Sequence, residues 1–357
     1  MKKNLLKTLT GVGCALFLLA GCAGKTEPEQ PTEAAPTEAA VETPAAEPTE
    51  EAEPTEEPEV ETVEVTEDRS GNEIVLPEEV NTIISMAPSI TRVLIDLGLA
   101  DKIVAADTNS QASYGAELGA DVVYMDMMTP DQEQIVAMAP DIVFTSGMSS
   151  KDGVDAFGSV RDAGLCVADI PSSASLDAIE EDLIFIGTCV GEEEAAAELA
   201  TEMEVAIEAI REIADTIPAE ERKSVLFELF TPSADYPTIY SAGPGTYINE
   251  MLEVVGAINI AADEDTQWPA LSEEFCVAAD PQVILTADMY TPDVINVLLT
   301  MKGWENVAAI QTGEVYMLDA DQVNQPNHHV IDALIDMAES IYPEYFDESF
   351  EELRPAA

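Results

Sequence analysis

The chain has 357 residues, with 71 acidic against 14 basic side chains and a formal charge of −57. That balance excludes recognition of a nucleic-acid backbone, which needs clustered Lys and Arg. The 46% hydrophobic content is that of a globular protein, and the length suits about two domains of roughly 100–200 residues each.

Residues 1–21 read as an export signal. Lys2, Lys3 and Lys7 form a basic start, Ala15 to Ala20 are apolar, and Leu19-Ala20-Gly21 leads into Cys22. The run is too short for a membrane span and is followed at once by polar sequence. The Leu-Ala-Gly-Cys ending resembles the bacterial lipobox, which implies lipid attachment at Cys22. Residues 26–61 hold 13 Glu and 7 Pro with no Lys, Arg or aromatic residue. Such a segment buries too little apolar surface to offset ordering entropy, so 22–61 is expected to be an extended tether. Of the remaining cysteines, Cys166, Cys189 and Cys276 each sit in an apolar stretch. An odd number in an exported protein points to buried free thiols.

The body starts near residue 62. Asp68-Arg69-Ser70-Gly71-Asn72 lies between alternating apolar positions and reads as a hairpin. Short apolar strands follow at Ile83–Met86, Ile103–Ala106, Ile142–Thr145 and Leu165–Ala168, separated by helical patterns. A helix after Pro88 stops at Gly98. This alternation predicts a parallel α/β sheet over 62–191. From 192 to 214 apolar residues recur every three or four positions without Gly or Pro, which predicts one long helix, with the connection running to 216. Strands near Val225–Leu229, Ile239–Ser241, Val283–Thr286 and Val315–Leu318, then a helix after His329, predict a second α/β lobe over 217–357. The expected fold is therefore two Rossmann-like lobes joined by one long helix, with a ligand cleft between them.

One pattern recurs. Glu133, six residues, then Pro140-Asp141-Ile142-Val143-Phe144-Thr145 matches Glu274, six residues, then Pro281-Gln282-Val283-Ile284-Leu285-Thr286. Each glutamate could serve only the dipole of its own helix. The matched spacing points instead to one function performed twice.

These segments resemble the periplasmic-binding-protein family that delivers ferric siderophores, haem and cobalamin to ABC importers. The likeness spans roughly 62–345. It rests on Asp68-x-x-Gly71 with Leu76-Pro77, Ser85-Met86-Ala87-Pro88-Ser89-Ile90-Thr91, Leu97-Gly98, the paired Glu…Pro segments, Gly243-Pro244-Gly245-Thr246-Tyr247-Ile248-Asn249-Glu250 and Gly303-Trp304. The resemblance implies a binding lipoprotein at the outer face of the cell membrane. Its partners would be an ABC permease and the permease's ATPase. It also implies that Glu133 and Glu274 dock on permease arginines, that closure on ligand is small, and that the protein is a monomer without an intrinsic cofactor. The sequence departs from the family at Thr91-Arg92, where Thr-Glu is common, and at Asn81-Thr82, where an arginine is usual.

Ligands of open α/β sheets sit beyond the carboxyl ends of the strands. That rule selects Met86, Pro88, Ser89, Ser146, Met148, Tyr240, Gly243 and Tyr290, with Met127 and Met128 on the same rim. These methionines suit either a core or a large, flat, partly apolar ligand. Trp268, before Pro269, could stack on such a ligand. Basic residues near the cleft loops are few, Arg92 and Lys151 among them. That scarcity favours a near-neutral corrinoid or a haem over an anionic ferric siderophore. His328 and His329 open the last helix, where the dipole disfavours a cation. A neutral imidazole there could reach the ligand's metal or merely mark the helix start. No G-x-S-x-G, P-loop or H-E-x-x-H motif is present, so an exported enzyme on this scaffold is the weaker alternative. A surface adhesin would explain the tether but has no need of paired lobes.

Overall fold

The computed structural model describes residues 65–149, 155–233, 237–346 and 348–355, all within the unit Thr62–Ala357. Cys22, the tether and Lys151 lie outside the described residues. The first lobe opens with β1 (Ile83–Ser85), α1 (Pro88–Asp96), β2 (Ile103–Asp107), α2 (Thr108–Tyr114) and β3 (Val123–Met125). It continues with α3 (Gln132–Met138), β4 (Ile142–Thr145), α4 (Gly158–Asp162) and β5 (Cys166–Asp169). The strands pair in the order β3-β2-β1-β4-β5, every pair parallel. β1 and β4 are buried at every residue, because helices cover both faces of such a sheet. This is why they read as unbroken apolar runs.

Helix α5 (Leu176–Val190) ends at Gly191, in the left-handed region at φ 79°, and α6 (Glu193–Ala214) follows at once. The amino-terminal half of α6 sends Ala196 and Ala200 into the first lobe's core. Its carboxyl-terminal half sends Met203, Ile207, Ile210 and Ala214 into the second. This is the long joining helix expected from the sequence. α5 and α6 pack so closely at Gly187 that a β-carbon there would overlap that of Ala196 and lie 2.9 Å from the Glu192 carbonyl oxygen.

The second lobe runs β6 (Ser224–Glu228), β7 (Ile239–Tyr240), α7 (Tyr247–Val254), β8 (Ile258–Asn259), β9 (Ala270–Leu271) and α8 (Glu273–Ala279). Then come β10 (Val283–Thr286), α9 (Val294–Leu299), α10 (Ala308–Thr312), β11 (Val315–Met317), α11 (Ala320–Val323) and α12 (Val330–Ile341). Its main sheet is parallel in the order β11-β10-β6-β8. The Ile239–Ser241 segment is not part of that sheet. It forms the antiparallel ribbon β7–β9, bracketed by Pro237 and by Gly243-Pro244, which leave too little chain for a full strand.

The Asp68–Asn72 turn is tighter than a hairpin with a full ladder. Only Glu67 and Glu73 bridge, and Gly71 takes φ 81°. The Asp68 carboxylate accepts from the backbone N–H groups of Ser70, Asn72 and Asp169, tying the turn to the end of β5. Cys166, Cys189 and Cys276 are free thiols.

The internal repeat is a structural unit. α3 and α8 each have seven residues, capped by the Asp131 and Ser272 side chains, with Glu133 and Glu274 exposed in the first turn. Both end on a non-glycine residue in the left-handed region, Ala139 and Asp280, each at φ 47°. A proline follows in each. The next side chain then clamps the chain entering the first strand of its sheet. The Asp141 carboxylate accepts from Thr82 N–H at 2.8 Å, and the Gln282 side-chain carbonyl accepts from Ser224 N–H at 3.1 Å.

Because α5 and α6 have no free space at their crossing, Gly187→Val should lower unfolding stability by about 2–3 kcal/mol. Urea denaturation of the variant, read by far-ultraviolet circular dichroism, measures this; an unchanged midpoint would show that the crossing can spread.

Candidate functional site

In each sheet the order in which strands are added reverses once, between β1 and β4 in the first lobe and between β6 and β10 in the second. A crevice opens at such a point because the connecting helices diverge to opposite faces. In the first lobe, β1 leads through Met86 and Ala87 to the start of α1, whose first residue, Pro88, has the fixed φ suited to that place. β4 leads into Ser146-Gly147-Met148. A pocket with about 670 Å³ of empty space, part of it open to solvent, lies here. Pro88, Ser89, Met127, Ser146 and Met148 line it from the first lobe, and Asn324 to Asn327 from the second.

Asp182 is the single ionisable side chain among the described lining residues. Burial raises its carboxyl above the usual range, while Ser173 and Arg69 pull the other way by donating hydrogen bonds to it. No Lys, Arg or His is among these residues. Asn327 is 1% exposed; its Oδ1 accepts from His329 N–H at 2.8 Å, and its buried Nδ2 has no hydrogen-bond partner in the protein. An unpaired amide donor on the pocket wall is a ready seat for a ligand carbonyl. Asn327 was not among the sequence candidates for the pocket. The polar run Asn324-Gln325-Pro326-Asn327 was the available signal.

The carboxyl ends of the second lobe's strands carry exposed apolar groups: Phe230, Tyr240, Trp268, Met289 and Tyr290. Phe230 and Tyr290 stack with ring centroids 6.1 Å apart. Beneath them Glu228 is buried and accepts from Thr286 Oγ1, with its other oxygen unpaired. Burial raises its carboxyl to about 7. The neighbouring Asp288 is also raised by burial, but hydrogen bonds from Thr291, Thr231 and Tyr290 outweigh this and hold it below the usual range. Phe230 was not singled out in sequence; the exposure of a large apolar side chain is visible only in three dimensions.

The sequence candidates separate into groups. Pro88, Ser89, Met127, Ser146 and Met148 meet at the pocket. Met128 is exposed, whereas Met86 is fully buried and belongs to the core, at the last rung of the sheet. Gly243 packs against the 266–267 backbone, its N–H donating to the Gln267 carbonyl at 2.7 Å.

Arg92 and the histidines lie elsewhere. Arg92 does not line the pocket. It forms a two-point pair with Asp96, one turn on, reaches Glu117 at 3.2 Å, and stacks over the Tyr114 ring. Nor do His328 and His329 line the pocket, since both meet Asp96 at the junction between α1 and the start of α12. Burial lowers the His328 imidazole's affinity for protons. His329 corrects the expectation of a neutral pair: burial works against its charge, but Asp332 and Asp96 raise it to about 9. Two nearby carboxylates outweigh a helix dipole.

Fold and crevice define a two-lobed binding protein that holds its ligand between α/β lobes linked by a rigid helix. Residues 83–322 match the family described as periplasmic binding protein, and the chain belongs to it. It is 32% identical over 282 residues to the ABC transporter substrate-binding lipoprotein YvrC of Bacillus subtilis, covering 79% of this chain and 86% of that one. It is 29% identical to a cobalamin-binding protein of Halobacterium salinarum, over 78% and 74% of the two chains. Among solved structures, the periplasmic haem-binding protein RhuT of Roseiflexus is 25% identical with a TM-score of 0.64, covering 74% of this chain and 98% of that one.

Glu228 supplies a pH test. Its carboxyl is raised in the fold, so it stabilises the protein below the unfolded value near 4.3. That advantage is lost as pH rises through about 7. Glu228→Gln should therefore match the parent at pH 4.5 and exceed it by roughly 3 kcal/mol at pH 8. Urea midpoints at the two pH values check this.

Proposed function

We propose that this protein is the extracytoplasmic binding component of an ABC importer and that its ligand is a corrinoid of the cobalamin type. The observation that carries the reading is a crevice without basic side chains among its described lining residues, with Met127 and Met148 on its wall. An anionic ferric chelate needs Arg or Lys to offset its desolvation. A corrinoid instead presents a large apolar ring edged with neutral amides. Asn324 and the unpaired Asn327 Nδ2 complement those amides, while Met127 and Met148 suit the ring. The likeness to a cobalamin-binding protein supports the same choice. A haem is the second reading, favoured by the stacked Phe230–Tyr290 pair, but its two carboxylates would face a crevice without cations. Lipid attachment at Cys22 would keep the body near its permease through the 22–61 tether.

Cyanocobalamin, haemin and an anionic ferric catecholate, titrated separately while Trp fluorescence is followed, discriminate these readings. Cyanocobalamin should bind most tightly; tighter binding of the catecholate would overturn the assignment. Asn327→Leu should weaken cyanocobalamin binding about tenfold, the worth of one buried hydrogen bond at the upper end of its usual range.

Delivery rests on Glu133 and Glu274. Each is exposed in the first turn of a matched helix, one per lobe. Surface acids outside the pocket act on the partner and not on the ligand. Replacing both with Ala should abolish uptake into cells or proteoliposomes while leaving ligand affinity unchanged. Normal uptake by the double variant would remove them from the docking surface.

A further inference from the structure

The junction between α1 and the start of α12 gathers three side chains that the binding cleft does not use. Asp96 Oδ2 lies 2.9 Å from His328 Nε2 and 3.0 Å from His329 Nε2. The two imidazole rings tilt at 49° with centroids 4.5 Å apart, so their edges converge without stacking flat. One ligand atom from each of the three groups falls within 4.8 Å of the other two. Donor atoms on one ion with bonds of about 2.0–2.1 Å stand roughly 3 Å apart in a tetrahedral set, so little movement is needed.

His328 provides a second observation. It is 2% exposed, and neither of its ring nitrogens has a hydrogen-bond partner. Its Nε2 is close to Asp96 but outside hydrogen-bond alignment. Its Nδ1 has no partner and its Nε2 has only the Asp96 carboxylate beside it, which is unusual for a buried imidazole unless something takes up a lone pair. His329 is braced differently. Its Nδ1 lies 2.8 Å from Asp332 Oδ2. A carboxylate on the far nitrogen is how metal-bound histidines are oriented and made more basic.

We propose that Asp96, His328 and His329 bind one divalent transition-metal ion of zinc-like character, resident at the lobe junction and separate from the transported ligand. Two imidazoles and one carboxylate form a borderline donor set that favours zinc over calcium or magnesium, with a water completing four-coordination. An open crevice lined by Arg92, Glu117, Asp321, His329 and Asp332 gives access. The surrounding charges are Arg92 on α1, Arg354 beyond α12, and the carboxylates of Glu117, Asp319, Asp321 and Asp332. Carboxylates outnumber guanidiniums even with Asp96 left out, so a further divalent cation is tolerated beside Arg92. The ion would tie the carboxyl end of α1 in the first lobe to the start of α12 in the second. Imidazole ligates as the neutral ring, so binding releases protons and tightens as pH rises.

The test uses untagged full-length protein, stripped with chelator and titrated calorimetrically with Zn²⁺ at pH 8 in millimolar Ca²⁺. Calcium occupies carboxylate-only sites on this acidic surface and leaves imidazole sites to zinc. The chain has no other histidine, so an imidazole signal belongs to this pair. One zinc per chain with proton release is expected. Affinity should drop by at least about 100-fold in His328→Gln and about tenfold in Asp332→Asn, and stay near the parent value in Glu274→Gln. Zinc binding that calcium displaces, or that His328→Gln leaves intact, would overturn the proposal. Should the histidine variant fail to fold, Co²⁺ added to the parent protein decides. Visible ligand-field bands of nitrogen-ligated cobalt support the site, and their absence overturns it.

Discussion

Twenty-two residues of uninterrupted helix, Glu193–Ala214, supply side chains to the cores of both lobes. A helix without Gly or Pro bends only by giving up backbone hydrogen bonds, so it behaves as a strut. Neither lobe can rotate freely without pulling Ala196 and Ala200 from one core or Ile207 and Ile210 from the other. The contact of α5 with α6 at Gly187 adds to this, because the two helices leave no space between them. The crevice between the lobes is therefore largely preformed. Contacts across the junction reinforce it: Ser113 donates to Asp321 at 3.0 Å, Tyr114 to Gln325, and Asp96 meets His329. Large hinge closure, which would unzip these polar contacts, is disfavoured by the same geometry.

A strongly acidic body with a cation-poor crevice has a physical logic. Long-range charge of one sign repels anions before they reach the pocket. Four arginines are spent on carboxylates of the protein itself. Arg69 holds Glu181 and Asp182, Arg92 holds Asp96 and Glu117, Arg161 holds Asp155, and Arg354 holds Asp336 and Glu351. Each is partly buried against carboxylates that would otherwise repel one another. The crevice lining offers apolar contact and amide or hydroxyl hydrogen bonding beside the single Asp182 carboxylate. Negative charge on the exterior leaves Glu133 and Glu274 as two among many surface acids, distinguished by placement and not by charge.

Most strands were legible because central parallel strands are continuous apolar runs ended by a turn residue. Val283–Thr286 and Ile142–Thr145 coincide with β10 and β4 residue for residue. The repeat was legible for a related reason. Helix cap, left-handed exit, proline and clamp are all local requirements, so they leave the same mark twice. β3, β8 and β9 were not legible, being two or three residues long and defined by their neighbours more than by their own pattern. Arg92 was misplaced for the same kind of reason. Its position beside the first cleft loop follows from sequence, but its direction depends on Asp96 and on Glu117 of another segment.

What the sequence determined by itself is whatever local physics enforces: the parallel α/β alternation, the long helix, the matched glutamates and the rims beyond the strand ends. Tertiary structure decided which of those rim residues meet. It brought Asn327 of the second lobe to a pocket built on the first, buried Met86 in the sheet core, and set the two histidines against Asp96, outside the pocket. Asp96 and His329 are 233 positions apart along the chain. No pattern of period two or 3.6 reaches that far; only the packing of one lobe against the other closes the distance.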